Sequence, residues 1–258
     1  MSETVVVTGG AGDIGKSLAG RFLADGHRVV LLDRDSAALE KAGRDVPGGD
    51  RLTCITADVT DSASISNAVA QAEAAAGPVT VLVNNAGGIT SPTLAATDEA
   101  AWLRDVDLNL NGAFRCVRAV QDGMKARRRG TIVNISSANA TGIYGYPGYS
   151  AAKAGLEQFT RFLAVELGAY GIRANAIAPG SVRTQAWNER AARDPGILER
   201  VKRWYPLQDV CTPEDVAGLA AFLVGPDARM ITGAVIALDG GLTVGATTVA
   251  REFCGAEF

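Results

Sequence analysis

Short apolar runs rich in β-branched residues alternate along the chain with longer helical segments, as Val5–Val7 and the segment from Ile14 to Asp25 illustrate. Several of these runs are apolar without interruption, which is typical of strands buried on both faces of a parallel sheet. The predicted strands are Val5–Val7, Arg28–Leu32, Leu52–Thr56, Val79–Val83, Thr131–Ile135, Ile172–Ile177 and Val235–Leu238. Repeated strand–helix–strand units predict an α/β fold with a doubly wound parallel sheet, the Rossmann fold.

Helices are predicted between these strands. Gly26 is a favourable residue at the end of the first helix, and Thr97 suits the N-cap of a long one. The predicted helices are Ile14–Asp25, Asp61–Ala76, the helix from Thr97 to Arg127, and Tyr149–Leu167. No linker, repeat or low-complexity segment interrupts the pattern, so we expect residues 1–258 to form a single domain.

The segment at about 185–208 is longer than a simple connection requires. It carries Trp187, Trp204 and Tyr205 together with two prolines. Such an aromatic insertion beyond the C-terminal end of a strand is either a substrate-binding lid or an extra packed helix. We favour the substrate-binding insertion, because ligands bind at this edge of doubly wound sheets.

The composition narrows the function classes. The 258 residues are 47% hydrophobic and 21% charged, with a formal net charge of -3, so nucleic acid is not an expected partner. The one basic cluster, Arg127–Arg129, suits a solvated helix C-terminus. No apolar run approaches the roughly 18 residues of a membrane span, and the N-terminus has no signal-peptide pattern, so no membrane association is expected.

The cysteines and the single histidine bear on location and metal binding. Cys54, Cys116, Cys211 and Cys254 have no paired spacing, which predicts reduced thiols in a cytoplasmic protein. His27 alone cannot build a multi-histidine site, so no metal is expected.

A glycine-rich turn follows the first strand, from Thr8 to Gly15. Glycines allow a sharp turn and close approach of a pyrophosphate, and the following helix offers free N–H groups. Many strand–helix turns contain glycine only because the backbone turns sharply there. This turn is accompanied by an acidic residue, Asp33, at the end of the second strand, as dinucleotide binding requires. An aspartate there is either a turn residue or an acceptor for the ribose hydroxyls, and it favours NAD over NADP. Arg34 keeps NADP open, since a guanidinium binds a 2′-phosphate.

Tyr149 and Lys153 are four residues apart and therefore share one face of a helix. A free tyrosine has a pKa of about 10, and a neighbouring ammonium is expected to lower that pKa. The pair would then move a proton to or from an alcohol oxygen while a hydride moves to or from a nicotinamide. A tyrosine and a lysine also occur at this spacing by chance. Here, however, Ser137 places a hydroxyl at the end of the fifth strand, where it could donate to the substrate oxygen. Ser136 is the alternative candidate for this role.

With these motifs in order, the chain resembles the short-chain dehydrogenase/reductase family over nearly its whole length. The resemblance rests on the Thr8–Gly15 turn, Asp58-Val59, Asn84-Asn85-Ala86-Gly87, Asn109-Leu110-Asn111-Gly112, Ser137, Tyr149 with Lys153, Asn175–Gly180, Ile231–Gly233 and Asp239–Gly241. It implies that Tyr149 is the acid/base, Ser137 orients the substrate and Lys153 also holds the nicotinamide ribose. It further implies that Asn109 holds a backbone kink and a water in a proton relay.

The resemblance also implies a set of cofactor-binding positions. Asp58 and Val59 would contact adenine, and Val182 and Thr184 would bind the carboxamide. Asn84 and Asn85 would serve equally well as braces of the sheet. The full set is Gly9, Ala11, Gly12, Asp13, Ile14, Asp33, Arg34, Asp58, Val59, Asn85, Ala86, Gly87, Tyr149, Lys153, Pro179, Gly180, Val182 and Thr184.

Two departures from the family pattern affect these expectations. Asp13 stands where the family usually has glycine, so a carboxylate would face the phosphates unless it points away or caps the helix. The loop between Ser137 and Tyr149 is about one residue short. Its Tyr144 and Tyr146 either shape a pocket wall or pack between loops.

The resemblance implies an oxidoreductase, and Asp33 favours NAD(H) as its dinucleotide. The substrate that we favour is a secondary alcohol, such as a sugar, hydroxy acid or cyclic alcohol, which is interconverted with its ketone. The alternatives are a 3-oxoacyl-acyl carrier protein reductase using NADPH, against which Asp33 and Tyr170 argue, and a catalytically silent binding or regulatory protein. We expect a small-molecule substrate and a homotetramer or dimer formed through the long helices. The segment Thr247–Phe258 would reach a neighbouring subunit or fray.

Overall fold

Seven parallel strands form one sheet in the computed structural model, which describes residues 2–256. The strand order is β3-β2-β1-β4-β5-β6-β7. The strands are β1 (Thr4–Thr8), β2 (Arg28–Asp33), β3 (Leu52–Thr56), β4 (Val81–Asn84), β5 (Gly130–Ile135), β6 (Ile172–Pro179) and β7 (Val235–Leu238). The predicted α/β fold with a doubly wound parallel sheet is confirmed.

Helices cover both faces of this sheet. They are α1 (Asp13–Ala24), α2 (Ser36–Asp45), α3 (Ser62–Ala76), α4 (Glu99–Val106), α5 (Gly112–Arg127), α6 (Pro147–Leu167), α7 (Gln185–Arg193), α8 (Ile197–Lys202), α9 (Pro213–Val224) and α10 (Thr247–Cys254). Helices α2, α9 and α10 were not predicted from the sequence. Helix α10 lies where a reaching or frayed tail was expected, and Phe258 falls outside the described residues.

The apolar runs are buried because they lie between two hydrophobic layers. Every residue of β1, β4 and β5 is buried, whereas the edge strands β3 and β7 are partly exposed. Val5 and Val7 pack in one layer with Phe22 of α1, and Val6 packs in the other with Val117 of α5. This alternation on a strand that is apolar throughout is the pattern of a sheet covered on both sides.

The strand order reverses between β1 and β4. Strand β1 pairs with β2 on one side and with β4 on the other, and all these strands run in the same direction. At such a reversal, the connections that follow two neighbouring strands run to opposite faces of the sheet. A crevice therefore forms between them, outside the carboxyl ends of the strands. The segments after β1, β4, β5 and β6 therefore meet at one edge of the sheet.

The helix predicted from Thr97 to Arg127 is wrong in two respects. Its N-cap is Asp98, whose carboxylate accepts from the Ala101 N–H at 2.7 Å, while the Thr97 hydroxyl donates to the carbonyl of Thr93. A π turn at Asp107–Asn111 also divides the segment into α4 and α5. Single π turns of this kind are frequent at functional sites.

Two further boundaries differ from the prediction. Strand β4 begins at Val81 rather than Val79, because the Val79 carbonyl accepts a hydrogen bond from the Arg127 side chain. Helix α6 begins at Pro147 rather than Tyr149, since a proline is well suited to the first position of a helix. Tyr146, just before it, has a φ of 59° in the left-handed region.

Within residues 2–256, every helix is either too short or too polar to cross a bilayer. The same residues contain no group of three or more His, Cys, Asp or Glu side chains placed to hold a metal ion.

Candidate active site

Backbone packing explains most glycines of the turn after β1. Gly9 has a φ of +65°, and a Cβ there would lie 2.9 Å from the Cα of Ala86. At Gly15 a Cβ would lie 2.4 Å from the Gly9 carbonyl oxygen. Gly12 is the N-cap of α1 and offers no side chain to its first-turn N–H groups. Uncapped N–H groups beside a turn of glycines and alanine fit the pyrophosphate of a dinucleotide.

Asp33 lies at the end of β2 with its carboxylate held by the turn. One oxygen accepts from the Ala11 N–H at 3.1 Å, and the other accepts from the Asp35 N–H at 3.2 Å. Arg34 beside it is exposed. The carboxylate is thus fixed next to the glycine turn, where a hydrogen-bond acceptor fits the ribose of an adenine dinucleotide.

Asp13 points away from this turn. Its carboxylate accepts from the Gln185 N–H at 2.6 Å, at the first residue of α7, and forms an ion pair with Lys16 at 3.0 Å. The hydrogen bond from Gln185, aided by Lys16, lowers the pKa of Asp13 below its usual value. Thr184, the N-cap of α7, makes no side-chain cap bond, so Asp13 supplies the acceptor from a distant segment.

The asparagines after β4 brace the sheet. Asn84 donates to the side chain of Asn134 at 2.8 Å, and the Asn85 amide donates to the carbonyls of Thr8 and Gly9. The Thr8 hydroxyl in turn accepts from the Asn85 and Ala86 N–H groups. The bonds of Asn85 and Ala86 join the ends of β1 and β4, and the bond of Asn84 joins β4 to β5.

The remaining predicted cofactor positions lie on segments that border the same edge. The Asp58 carboxylate, after β3, accepts from the Thr60 N–H and hydroxyl at 2.8 Å, and Val59 is buried beneath Gly112. Pro179 ends β6, and Val182 forms an isolated bridge with Cys211.

Two adjacent serines at the end of β5 have different surroundings. Ser136 donates to the carboxylate of Glu157 at 3.0 Å, so its hydroxyl is used in packing β5 against α6. Ser137 accepts from the Asn139 N–H at 3.2 Å and lines a cavity together with Tyr149. Of the two rivals, only Ser137 lines the cavity.

Tyr149 and Lys153 lie on one face of α6, with the Lys153 Nζ 5.5 Å from the centre of the Tyr149 ring. The Lys153 ammonium is 3% exposed and donates to the Ile135 carbonyl at 2.7 Å, and burial lowers its pKa to about 8. Burial also raises the pKa of Tyr149, and the Ser137 hydrogen bond opposes that rise. The lowering of the Tyr149 pKa that was expected from the neighbouring ammonium is not seen in this structure, in which burial of the phenol has the largest effect and raises the pKa.

Asn109 is buried in the π turn and is fully hydrogen bonded. Its amide donates to the carbonyls of Gly88 and Asp105, and its oxygen accepts from the Gly88 N–H. The side chain thereby ties the π turn to the segment after β4.

Asp105, one turn before Asn109, has a carboxylate buried without a protein partner. The residue is 1% exposed, and neither oxygen has a hydrogen-bond partner among the described residues. A Cβ at Gly148 would lie 3.0 Å from this carboxylate, which places it beside the start of α6. Its negative charge further raises the pKa of Tyr149.

A cavity of about 820 Å³ opens above Ser137 and Tyr149. The predicted insertion forms one wall, with Trp187 of α7 and Trp204 beyond α8, and Tyr144 and Tyr146 form another. Tyr205 is 2% exposed, and its hydroxyl accepts from the Ser181 N–H at 2.8 Å, so it supports the wall from the core.

Several residues that line this cavity were not named from the sequence, among them Ile89, Arg190 and the segment Leu242–Ala246. The last could have been found from Asp239, since an aspartate before two glycines often orders the following turn. The Asp239 carboxylate accepts from the N–H groups of Gly241 and Thr243 and from the Thr243 hydroxyl.

Comparisons with known proteins agree with this geometry. Residues 9–243 match the family model described as enoyl-(acyl carrier protein) reductase. The chain is 39% identical to galactitol 2-dehydrogenase (L-tagatose-forming) of Cereibacter sphaeroides, over 92% of this chain and 94% of that one.

Solved structures give the same result. An oxidoreductase of the short-chain dehydrogenase/reductase family from Burkholderia thailandensis superposes with a TM-score of 0.94 at 44% identity, covering 100% of this chain and 99% of that one. A variant of actinorhodin polyketide ketoreductase, solved with NADPH, gives a TM-score of 0.89 at 33% identity over 94% of this chain and 97% of that one. Fold and comparisons together define an oxidoreductase. The chain belongs to the short-chain dehydrogenase/reductase family.

Proposed function

We propose that this protein is an NAD(H)-dependent oxidoreductase that interconverts a secondary alcohol and its ketone. The observation that carries the proposal is the meeting of Ser137, Tyr149 and Lys153 below one cavity, at the carboxyl ends of the strands. A bound nicotinamide would supply or accept the hydride. The small molecule that exchanges this hydride would occupy the cavity.

The roles proposed for the side chains follow from their contacts. The Tyr149 hydroxyl exchanges a proton with the substrate oxygen, and the Ser137 hydroxyl hydrogen bonds the same oxygen. The raised pKa of Tyr149 keeps the phenol protonated at neutral pH, which suits donation to a ketone. Alcohol oxidation needs the phenolate and is therefore expected to speed up as the pH rises.

The residues proposed to hold the dinucleotide are those around the turn after β1. Gly12 and the first turn of α1 would bind the pyrophosphate, and Asp33 the adenosine ribose. Asp33 supports NAD, because a 2′-phosphate beside a fixed carboxylate is repelled. Two observations favour NADP instead: a structural relative was solved with NADPH, and Arg34 is exposed beside Asp33. The dinucleotide preference is therefore the first property to measure.

Steady-state kinetics with NAD and NADP, over a panel of sugars, hydroxy acids, cyclic alcohols and 3-hydroxyacyl thioesters, test the proposal. We expect kcat/KM to be at least about tenfold higher with NAD, on the scale of one charge interaction. Asp33→Ala should narrow this ratio, whereas Asp35→Ser, which preserves the N-cap of α2, should not. A preference for NADP in the unchanged protein would contradict the NAD assignment.

The carrier-protein reductase remains the second candidate, because the family model bears that description. One observation weighs against it: Arg127–Arg129 precede β5, at the sheet edge opposite the cavity. Their side chains contact Val79, Ala169 and Glu3. Turnover of a carrier-linked thioester but not of free alcohols would favour this candidate, and no turnover with any panel member would favour the silent binding protein.

We also propose the homotetramer or dimer and the cytoplasmic location expected from the sequence. Phe114 of α5 and Phe162 of α6 are each at least half exposed, which supports an apolar contact between subunits. The mass of the protein in solution tests the assembly.

A further inference from the structure

The cavity has an uneven distribution of charge. Its walls are formed mainly by aromatic and apolar side chains, and Arg190 is the only charged residue among the described residues that line it. No carboxylate of the described residues forms an ion pair with Arg190. Elsewhere in the insertion, Arg200 contacts Asp194 and Lys202 lies 3.2 Å from Asp209, so these two cations already have carboxylate partners.

The exposed Arg190 side chain lies over an aromatic ring on α7. Its guanidinium carbon lies 5.0 Å from the centre of the Trp187 ring, one helical turn earlier. Stacking on an aromatic face leaves the N–H groups at the edge of the guanidinium free to donate. Two parallel N–H donors match the two oxygens of a carboxylate.

We propose that Arg190 binds an anionic group of the substrate, so that the preferred substrate is a hydroxy acid rather than a neutral sugar or cyclic alcohol. This inference rests on the proposed function for the position of the alcohol. Ser137 and Tyr149 receive the alcohol oxygen, Arg190 receives the anion, and Trp187 and Trp204 contact the apolar body between them. A carboxylate and a sulfonate present the same oxygen chemistry, and the test separates them.

Binding of simple probes tests this without turnover. The probes are benzoate, benzenesulfonate and the neutral benzamide, titrated by calorimetry into the protein with NAD present. We expect benzoate to bind at least about tenfold more tightly than benzamide. Benzenesulfonate should bind as tightly as benzoate if charge alone determines the affinity, and more weakly if the planar geometry of the guanidinium also contributes. Arg190→Met should weaken anion binding about 10-fold to 100-fold and leave benzamide unchanged.

Two variants control for general damage to α7. Arg193→Met removes an exposed cation one turn away that does not line the cavity, and it should bind every probe as the unchanged protein does. Arg190→Lys keeps the charge without the fork, so it should restore part of the anion affinity. The inference would be overturned if Arg190→Met weakened the binding of benzoate and benzamide equally. It would also be overturned if Arg190→Met left the binding of the anions unchanged.

Kinetics separate this inference from the proposed function. A 3-hydroxycarboxylate and its amide are compared as substrates, and Arg190→Met should raise KM for the acid alone while kcat changes little. If neutral alcohols are oxidised and Arg190→Met handles acid and amide alike, the inference fails and the proposed function stands. If the anions bind through Arg190 but no alcohol is oxidised with either dinucleotide, the proposed function fails instead.

Discussion

The two walls of the cavity are built in opposite ways. The catalytic wall, on β5 and α6, is held by buried hydrogen bonds such as Asn134 to Thr160 and Lys153 to Ile135. The insertion wall, on α7 and α8, buries only Ile197 within its helices. Few buried contacts imply low local stability, so the proposed chemistry would lie on rigid elements and the proposed substrate contacts on a segment that can adjust.

The largest expected effect comes from breaking the catalytic wall at its reacting group. Tyr149→Phe removes the proton that the proposed mechanism exchanges, and kcat should fall about 10²-fold to 10⁴-fold. The dinucleotide should still raise the melting temperature, since the turn after β1 is untouched. Tyr144→Phe removes a phenol from the cavity lining only, and its kcat should change by less than about threefold. Substantial turnover by Tyr149→Phe would contradict the assignment of Tyr149 as the acid/base.

A smaller change tests what holds the insertion wall in place. Asp13→Gly restores the usual family residue and removes the acceptor for the Gln185 N–H. We expect KM for the substrate to rise about twofold to fivefold with kcat nearly unchanged, on the scale of one partly exposed interaction. Trypsin should also cleave within residues 185–208 more readily. Lys16→Met removes the ion pair but keeps the Gln185 bond, so it should leave both readouts near their original values.

The smallest expected effect is a shift along the pH axis. The Asp105 carboxylate raises the pKa of Tyr149, so Asp105→Asn should lower that pKa. The phenolate then forms at lower pH, and the rising limb of the oxidation profile should move to lower pH. Reduction needs the protonated phenol, so its falling limb should move the same way. A uniform loss of rate at every pH would mean that Asp105 is only structural.

Much of the fold and the core of the candidate site are predictable because they depend on local patterns. Uninterrupted apolar runs predict the parallel sheet. The glycine turn, Asp33 and Ser137 each follow or end a strand, so the sequence predicts that they lie at one edge of the sheet, with Tyr149 on the helix that follows. The π turn is not predictable in this way, since Asn109 is held by the distant Gly88. Thr97 and Asp98 are both good capping residues, so helix register alone decides between them.

The missed parts of the site depend on long-range placement. Arg190 enters the cavity because α7 is oriented by Asp13, 172 positions away in sequence from Gln185. The Tyr149 pKa depends on burial and on Asp105, neither of which the Tyr149–Lys153 spacing reveals. Helix α2 has few apolar residues, whereas α9 is apolar from Val216 to Val224 and begins with a capping box, so the signal for α9 was present in the sequence.

The central position of β1 has a consequence for how the chain reaches its native state. Val5 cannot pair with Val81 until the whole of β2, β3 and the intervening helices has been synthesised. Parallel neighbours always require such long crossovers, so the sheet has a high contact order and is expected to fold slowly. Until β4 arrives, one side of β1 is an unpaired apolar edge, the kind of surface through which nascent chains aggregate.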